Sequence, residues 1–198
     1  DKTYFLKQGK FNISRPFVIP SGIKVIGNNT TILINETHPF PIFQLKDVKN
    51  VEILNITIEG KPLTYSNNKD YLQKVNYFNV ISINGCNNIN LRKIKFKNIE
   101  GTGIKALDSE RINIEKCFFI DFGHASFKDV GYSSDGIYLG GDKSIKSIKI
   151  DSCIFNNIGS SFPQGNPPWP NDGDGIQILS TGYANDITIT NCEFDKCS

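Results

Sequence analysis

The stretch INIEKCFF, residues 112–119, contains the pattern that determines the fold. Its apolar side chains stand at the first, third, sixth and eighth positions, so two runs with a period of two residues flank a break of two residues. A period of two is typical of a β-strand with one buried side. We therefore interpret the stretch as two short strands that meet at a bend. The pattern occurs five times, at residues 51–58, 89–96, 112–119, 148–155 and 187–194.

A third apolar run precedes each copy of this pattern. It begins 8 residues before the first three copies and 11 residues before the last two, whereas the connection to the next run varies from 8 to 23 residues. The shortest repeat, from residue 89 to residue 112, is 23 residues long. Units this small bury their apolar sides only by stacking. Three short strands per repeat, with insertions at one corner, predict a right-handed parallel β-helix.

The predicted fold class is thus all-β, a single-stranded solenoid of about six rungs that forms one domain over residues 1–198. Residues 1–42 are predicted to be an N-terminal cap with the first rung. Residues 43–198 are predicted to form regular rungs with long loops at 59–80, 121–135 and 156–174. The chain opens within the pattern and contains no Met, so we expect it to be a piece of a longer protein.

Composition argues against several classes of partner. The net charge is +2 and only three residues are Arg, so no basic stripe for nucleic acid is expected. No stretch approaches the ~18 apolar residues of a membrane span. Of the five cysteines, Cys117, Cys153 and Cys192 hold the same pattern position and are predicted to stack as buried thiols. Their odd total argues against a disulfide framework.

The stretch GKFNISRPFVIPSG, residues 9–22, resembles the opening G-x-Y-x-I-x-x-P-I-x-I-P-S-G of the pectate-lyase-like superfamily. This superfamily includes polygalacturonases and the spike and appendage proteins of bacteriophage tails. The resemblance implies a right-handed β-helix that acts on an acidic or complex polysaccharide, either extracellularly or on a virion tail. The likeness to tail spikes further implies a homotrimer.

Candidate catalytic groups stand at the corner where insertions gather. The motifs SDGI and GDGI place Asp135 and Asp174 two residues before an apolar run, with Asp172 close by. Stacking of the rungs should bring these carboxylates together, and their repulsion should raise the pKa of at least one. Glycoside hydrolysis uses such a pair, one acid to protonate the leaving oxygen and one carboxylate to activate water or attack.

Polygalacturonases carry Asn-Thr-Asp-Gly in this column, followed one rung later by Gly-Asp-Asp. By this resemblance Asp135 matches the Asp of the first motif and Asp174 the second Asp of the pair. Gly173 stands where the family has the first Asp of the pair, and Asp172 would replace it only after a shift of one residue. A structural alternative remains, because Asp and Gly are favoured in turns and Gly tolerates positive φ.

Six further residues are predicted to bind substrate. Lys105, Tyr138 and Gln177 are central in their runs and should point outward by the period of two. Trp169, on a Pro-rich loop, would offer a stacking platform for sugars, or else would cover the solenoid. Tyr132 and His124 lie in the loop before Asp135; His124 is either an acid–base group or a solvated loop residue.

The functional prediction is a polysaccharide-binding and polysaccharide-degrading protein, a glycoside hydrolase of the polygalacturonase or tail-spike depolymerase type. One alternative is a polysaccharide lyase or epimerase that uses the same groove, with Lys105 as base and Ca²⁺ held by Asp135, Asp172 and Asp174. Another is a non-catalytic segment of a tail spike or adhesin. The hydrolase would need no metal or other cofactor.

Overall fold

The structure is a computed structural model that describes residues 2–28, 30–35, 40–60, 79–123, 134–159 and 173–197. In these ranges the regular elements are β-strands, and the paired strands are parallel and form three faces of a solenoid. The chain visits face A, then face B, then face C, and returns to face A one rung further on. No helix within the described ranges is long and apolar enough to cross a membrane.

The strands divide among the faces as follows. Face A contains β1 (Lys2–Phe5), β4 (Ile23–Ile26), the first halves of β7 (Lys49–Gly60) and β9 (Asn87–Ile99), β11 (Glu110–Glu115), β14 (Ser144–Asp151) and β17 (Tyr183–Thr190). Face B contains β2 (Gly9–Ile13), β5 (Thr31–Asn35), the second halves of β7 and β9, β12 (Phe118–Phe122), β15 (Ile154–Ile158) and β18 (Glu193–Cys197). Face C contains β3 (Phe17–Val18), β6 (Phe43–Lys46), β8 (Asn79–Asn84), β10 (Thr102–Leu107), β13 (Ile137–Gly141) and β16 (Ile176–Ser180).

Equivalent residues of successive repeats pair directly. On face A, Ile112 is opposite Ile89 on one side and Ile148 on the other. On face C, Ile104 is opposite Ile81 and Ile137. The predicted parallel β-helix is therefore confirmed, with each apolar run on its predecessor in the register that the repeat requires.

The bend inside the repeated pattern depends on one left-handed residue. The second residue of the two-residue break has φ between 52° and 58° in all five copies. A single residue in this region turns an extended chain sharply, and Asn adopts it more readily than most side chains. We call these positions the bend column: Asn55, Lys93, Lys116, Ser152 and Asn191.

The interior consists of ladders of identical or similar side chains. Phe96, Phe119, Phe155 and Phe194 form the Phe stack, with ring centroids 4.7 to 4.8 Å apart and ring planes within 8° of parallel. This distance equals the spacing of neighbouring parallel strands, ~4.8 Å. The Phe stack lies against the start of face C, so the core of the solenoid directly supports the corner that carries the aspartates.

The predicted column of thiols is confirmed. Cys117 and Cys153 are buried, Cys192 is half-buried, and all are free. Burial, with a smaller contribution from the neighbouring Cys153 thiol, holds the pKa of Cys117 well above its ordinary value. A buried thiol of high pKa is a poor nucleophile and metal ligand. Cys117 therefore acts as apolar filling of the core.

Residues 1–42, predicted to be an N-terminal cap with the first rung, contain paired strands in their described part. Strand β1 pairs with β4 and strand β2 with β5, both parallel and in rung register. These strands therefore form part of the solenoid. The repeat is hard to recognise here because all four side chains of β1, among them Tyr4 and Phe5, are exposed and show no alternation of burial.

Candidate functional site

The two candidate catalytic aspartates lie on consecutive rungs at the start of face C. Ile137 pairs with Ile176, and Asp135 and Asp174 precede these residues by two. The backbone supports the same register, because Gly136 N donates to the carbonyl of Asp174 at 2.9 Å. Thr102 and Asn79 continue the column on the two earlier rungs, since these two residues pair with each other in β10 and β8. Repeat geometry therefore places Asp135 and Asp174 in register on adjacent rungs.

The side chains of these aspartates have different surroundings. Asp135 is 4% exposed, and its Oδ2 accepts a hydrogen bond from Thr102 Oγ1 at 3.3 Å. Asp174 is half-buried, and its Oδ2 accepts from Gln177 Nε2 at 3.2 Å. One carboxyl group is thus enclosed by the fold, while the other is open to solvent and oriented by a neighbouring amide.

The glycine that follows each aspartate is required by packing. Gly103, Gly136 and Gly175 do not have positive φ, so the conformational reason considered for these glycines does not apply. A Cβ on Gly136 would lie 2.6 Å from the carbonyl oxygen of Gly175 and 2.7 Å from the Phe155 ring. Contact with the Phe stack therefore explains the glycine, but it does not explain why an aspartate precedes it.

This contact leads to a stability prediction. Gly136→Ala should lower the free energy of unfolding by about 1–3 kcal/mol, because backbone and a packed ring both oppose the added methyl group. Gly159→Ala is the matched control, since no heavy atom lies within 4 Å of its Cβ position. Urea denaturation of both variants measures the difference. Equal urea midpoints for the two variants would show that the limited space beside Phe155 is not the reason for a glycine at position 136.

The predicted outward ladder of face C is present beside the aspartates. Lys105 pairs with Tyr138 and Tyr138 with Gln177 on three successive rungs, and all three side chains are partly exposed. Lys105 Nζ lies 5.0 Å from the centroid of the Tyr138 ring, a cation–π contact, and Tyr138 Oη donates to Leu179 O at 3.4 Å. Because Gln177 also bonds Asp174, the ladder and the carboxylates form one surface. Ser82 and Gln44 extend it towards the N-terminus.

The remaining predicted site residues lie outside the described part of the chain. These residues are the catalytic candidate Asp172 and the substrate-binding candidates Trp169, Tyr132 and His124. Their roles stay predictions. In the described ranges no group of three or more His, Cys, Asp or Glu side chains is arranged to hold a metal ion.

The structure adds two residues to this corner that the sequence analysis missed. Glu100 is a carboxylate only 8% exposed in the turn between β9 and β10, two residues before Thr102. Ser134 is fully buried, and its Oγ accepts from the Gly101 N–H at 3.2 Å. The sequence spacing could have indicated Glu100, because Glu100 stands two residues before Thr102 just as Asp172 stands two residues before Asp174.

Comparisons with known proteins agree with this architecture. A Parabacteroides merdae protein proposed to be a glycosyl hydrolase has a crystal structure similar to this chain, with a TM-score of 0.61. The two share 15% sequence identity, and the similarity covers 98% of this chain and 80% of the other, which shows a common fold. A comparison with curated proteins found no match. The family model described as "Right handed beta helix region" matches residues 17–198, and the chain therefore belongs to the right-handed β-helix family.

Proposed function

We propose that this protein binds a polysaccharide along face C and hydrolyses it with Asp135 and Asp174 as the catalytic carboxylate pair. The observation that carries the proposal is the placement of these carboxylates on consecutive rungs, beside a ladder of polar and aromatic side chains. The similar Parabacteroides merdae protein, proposed to be a glycosyl hydrolase, supports the same class of reaction.

The different surroundings of the two aspartates suggest different roles. We assign Asp135, the more buried of the two carboxyl groups, as the proton donor to the leaving oxygen. Asp174 is reachable from solvent and fixed by Gln177, so we assign it to activate the attacking water. Thr102 keeps Asp135 in place through its hydroxyl hydrogen bond.

The ladder of face C supports an extended, partly acidic substrate. Its side chains recur at the strand spacing of ~4.8 Å, so a glycan chain lying along the solenoid axis would meet one on each rung. The ring of Tyr138 suits stacking against a sugar face, and Lys105 suits pairing with an acidic group. Trp169, Tyr132 and His124 are proposed as further contacts from the loops. A polysaccharide substrate also fits action outside the cell or on a virion tail, where a homotrimer is proposed.

A lyase or epimerase is the second candidate, and the position of Lys105 favours it. This cation lies on the face that carries Asp135 and Asp174, one rung before Tyr138, where it could act as the base that removes a proton next to a uronate carboxylate. The aspartates would then neutralise or bind the acid through a cation such as Ca²⁺.

The products of cleavage distinguish these proposals. The protein is incubated with a panel of acidic and neutral polysaccharides, and new reducing ends and 4,5-unsaturated sugars are measured in parallel. Hydrolysis is expected to give reducing ends without unsaturated products. Reducing ends together with unsaturated sugars would replace the hydrolase by a lyase. If the protein binds a polymer but forms no new reducing ends, the proposal of a non-catalytic spike or adhesin segment would replace both enzymes.

A further inference from the structure

A second surface lies away from the aspartates, where face A bends into face B. An open depression of ≈ 420 Å³ runs across four rungs there, lined by Asn55, Ile56, Thr57, Lys93, Lys95, Lys116, Phe118 and Ser152. We call it the bend depression. The aspartates lie beyond the far end of face B, at the start of face C.

The bend depression concentrates positive charge. Lys93, Lys95 and Lys116 are all exposed and lie on two consecutive rungs, since Lys95 pairs with Phe118, two residues after Lys116. No carboxylate of a described residue is within ion-pairing distance of Lys93 or Lys95. Like charges on neighbouring strands repel. An anion bound among these lysines would remove that repulsion.

Two acidic residues, Glu115 and Asp151, lie next to lining residues of the bend depression, and both carboxylates have partners. Glu115 receives Arg92 Nε at 3.2 Å and Lys116 Nζ at 3.1 Å. The Lys116 hydrogen bond, with a smaller contribution from Arg92, lowers the pKa of Glu115, so this carboxylate is charged and paired. Lys93 and Lys95 therefore remain for a ligand.

The backbone positions two of these lysines at the bend itself. Lys93 and Lys116 occupy the left-handed bend column, with φ of 52° and 53°. The other members of the column are Asn55, Ser152 and Asn191, which are small polar residues. Lysine replaces this residue type only on the two rungs where the bend depression has its positive charge.

The remaining lining groups indicate which anion fits. The Phe118 ring is 38% exposed beside the lysines, and Thr57, Ser152 and Asn55 offer hydroxyl and amide groups. A ring face, hydrogen-bonding groups and cations together match a sugar that carries a carboxylate. We propose that the bend depression is a non-catalytic binding site for a uronate unit of an acidic glycan.

The test measures binding by calorimetry, with trigalacturonate and an alginate trisaccharide as probes. We expect the Lys93→Gln/Lys95→Gln/Lys116→Gln variant to bind at least one probe about tenfold more weakly than the parent. Lys49→Gln/Lys143→Gln/Lys146→Gln removes the same charge from exposed lysines elsewhere and should bind as the parent does. Phe118→Ala should also weaken binding, because the ring contact is lost.

Two further arms identify the ligand class and separate this site from the catalytic one. The fully methyl-esterified trisaccharide and inorganic phosphate should each bind more weakly than the uronate trisaccharide. Asp135→Asn/Asp174→Asn should retain binding at the bend depression, so failure of the proposed hydrolysis leaves this result intact. Three outcomes would overturn the proposal. The parent and the variant at residues 93, 95 and 116 could bind the probes with equal affinity, or the parent could bind neither uronate. The methyl ester or inorganic phosphate could also bind as tightly as the uronate trisaccharide.

Discussion

Asp135→Asn and Asp174→Asn are each expected to lower kcat for glycan cleavage by a factor of about 10²–10⁴, the usual contribution of one acid–base group. An amide has nearly the shape of the carboxyl group but neither donates nor accepts the proton that the reaction moves. Its oxygen can still accept the hydrogen bond from Thr102 or from Gln177, so the fold should be retained. Initial rates of reducing-end formation, with a thermal melt of each variant, measure both effects.

Asp195→Asn is the matched control for this experiment. Asp195 lies on face B, one rung beyond Asp174, and its Oδ2 accepts an amide hydrogen bond from Asn156 at 3.0 Å. Its replacement removes the same charge and perturbs a similar contact, yet it should leave the rate unchanged. If Asp135→Asn and Asp174→Asn cleave glycans as fast as Asp195→Asn, the column is a structural stack of turns and the hydrolase proposal fails.

The repeat determined most of what could be predicted. Ile104, Ile137 and Ile176 are equivalent positions of successive repeats. Stacking therefore places residues that are equally far from these positions in one column. For this reason the spacing alone predicted that Asp135 and Asp174 are adjacent. The left-handed bend was recognised only as a break in the pattern. Its φ could not be inferred, because Lys93 and Lys116 are not residues that favour it.

Side-chain contacts were predictable only where the repeat enforces them. The Phe stack repeats with the rungs, but the hydrogen bond of Thr102 to Asp135 joins different residue types and depends on side-chain rotamers. The packing reason for Gly136 likewise required the position of the Phe155 ring. The loop candidates Trp169 and His124 belong to insertions of unequal length, which have no equivalent in other rungs from which a neighbour could be inferred.

The largest stability effect is expected at Phe119, in the middle of the Phe stack. Phe119 is fully buried, with its ring 4.8 Å from Phe96, 4.7 Å from Phe155 and 6.1 Å from Phe122. Phe119→Ala should lower the free energy of unfolding by about 3–5 kcal/mol, because rungs fixed by backbone hydrogen bonds cannot close over the cavity. A loss of this size is a large part of the stability of a typical domain.

Phe118→Ala provides a control at the adjacent position, since Phe118 points outward and is 38% exposed. It should change the free energy of unfolding by less than about 1 kcal/mol. Each rung of a solenoid contacts only its neighbours, so Phe119→Ala should also speed amide exchange locally, most of all at Gly103, against which the Phe119 ring packs. Denaturant titrations and hydrogen exchange of both variants test this. Two results would contradict this. Phe118→Ala and Phe119→Ala would lower the free energy of unfolding equally, or amide exchange would become faster evenly along the chain. Either result would mean that the stacked rings do not hold the rungs together and that the corner bearing Asp135 has another support.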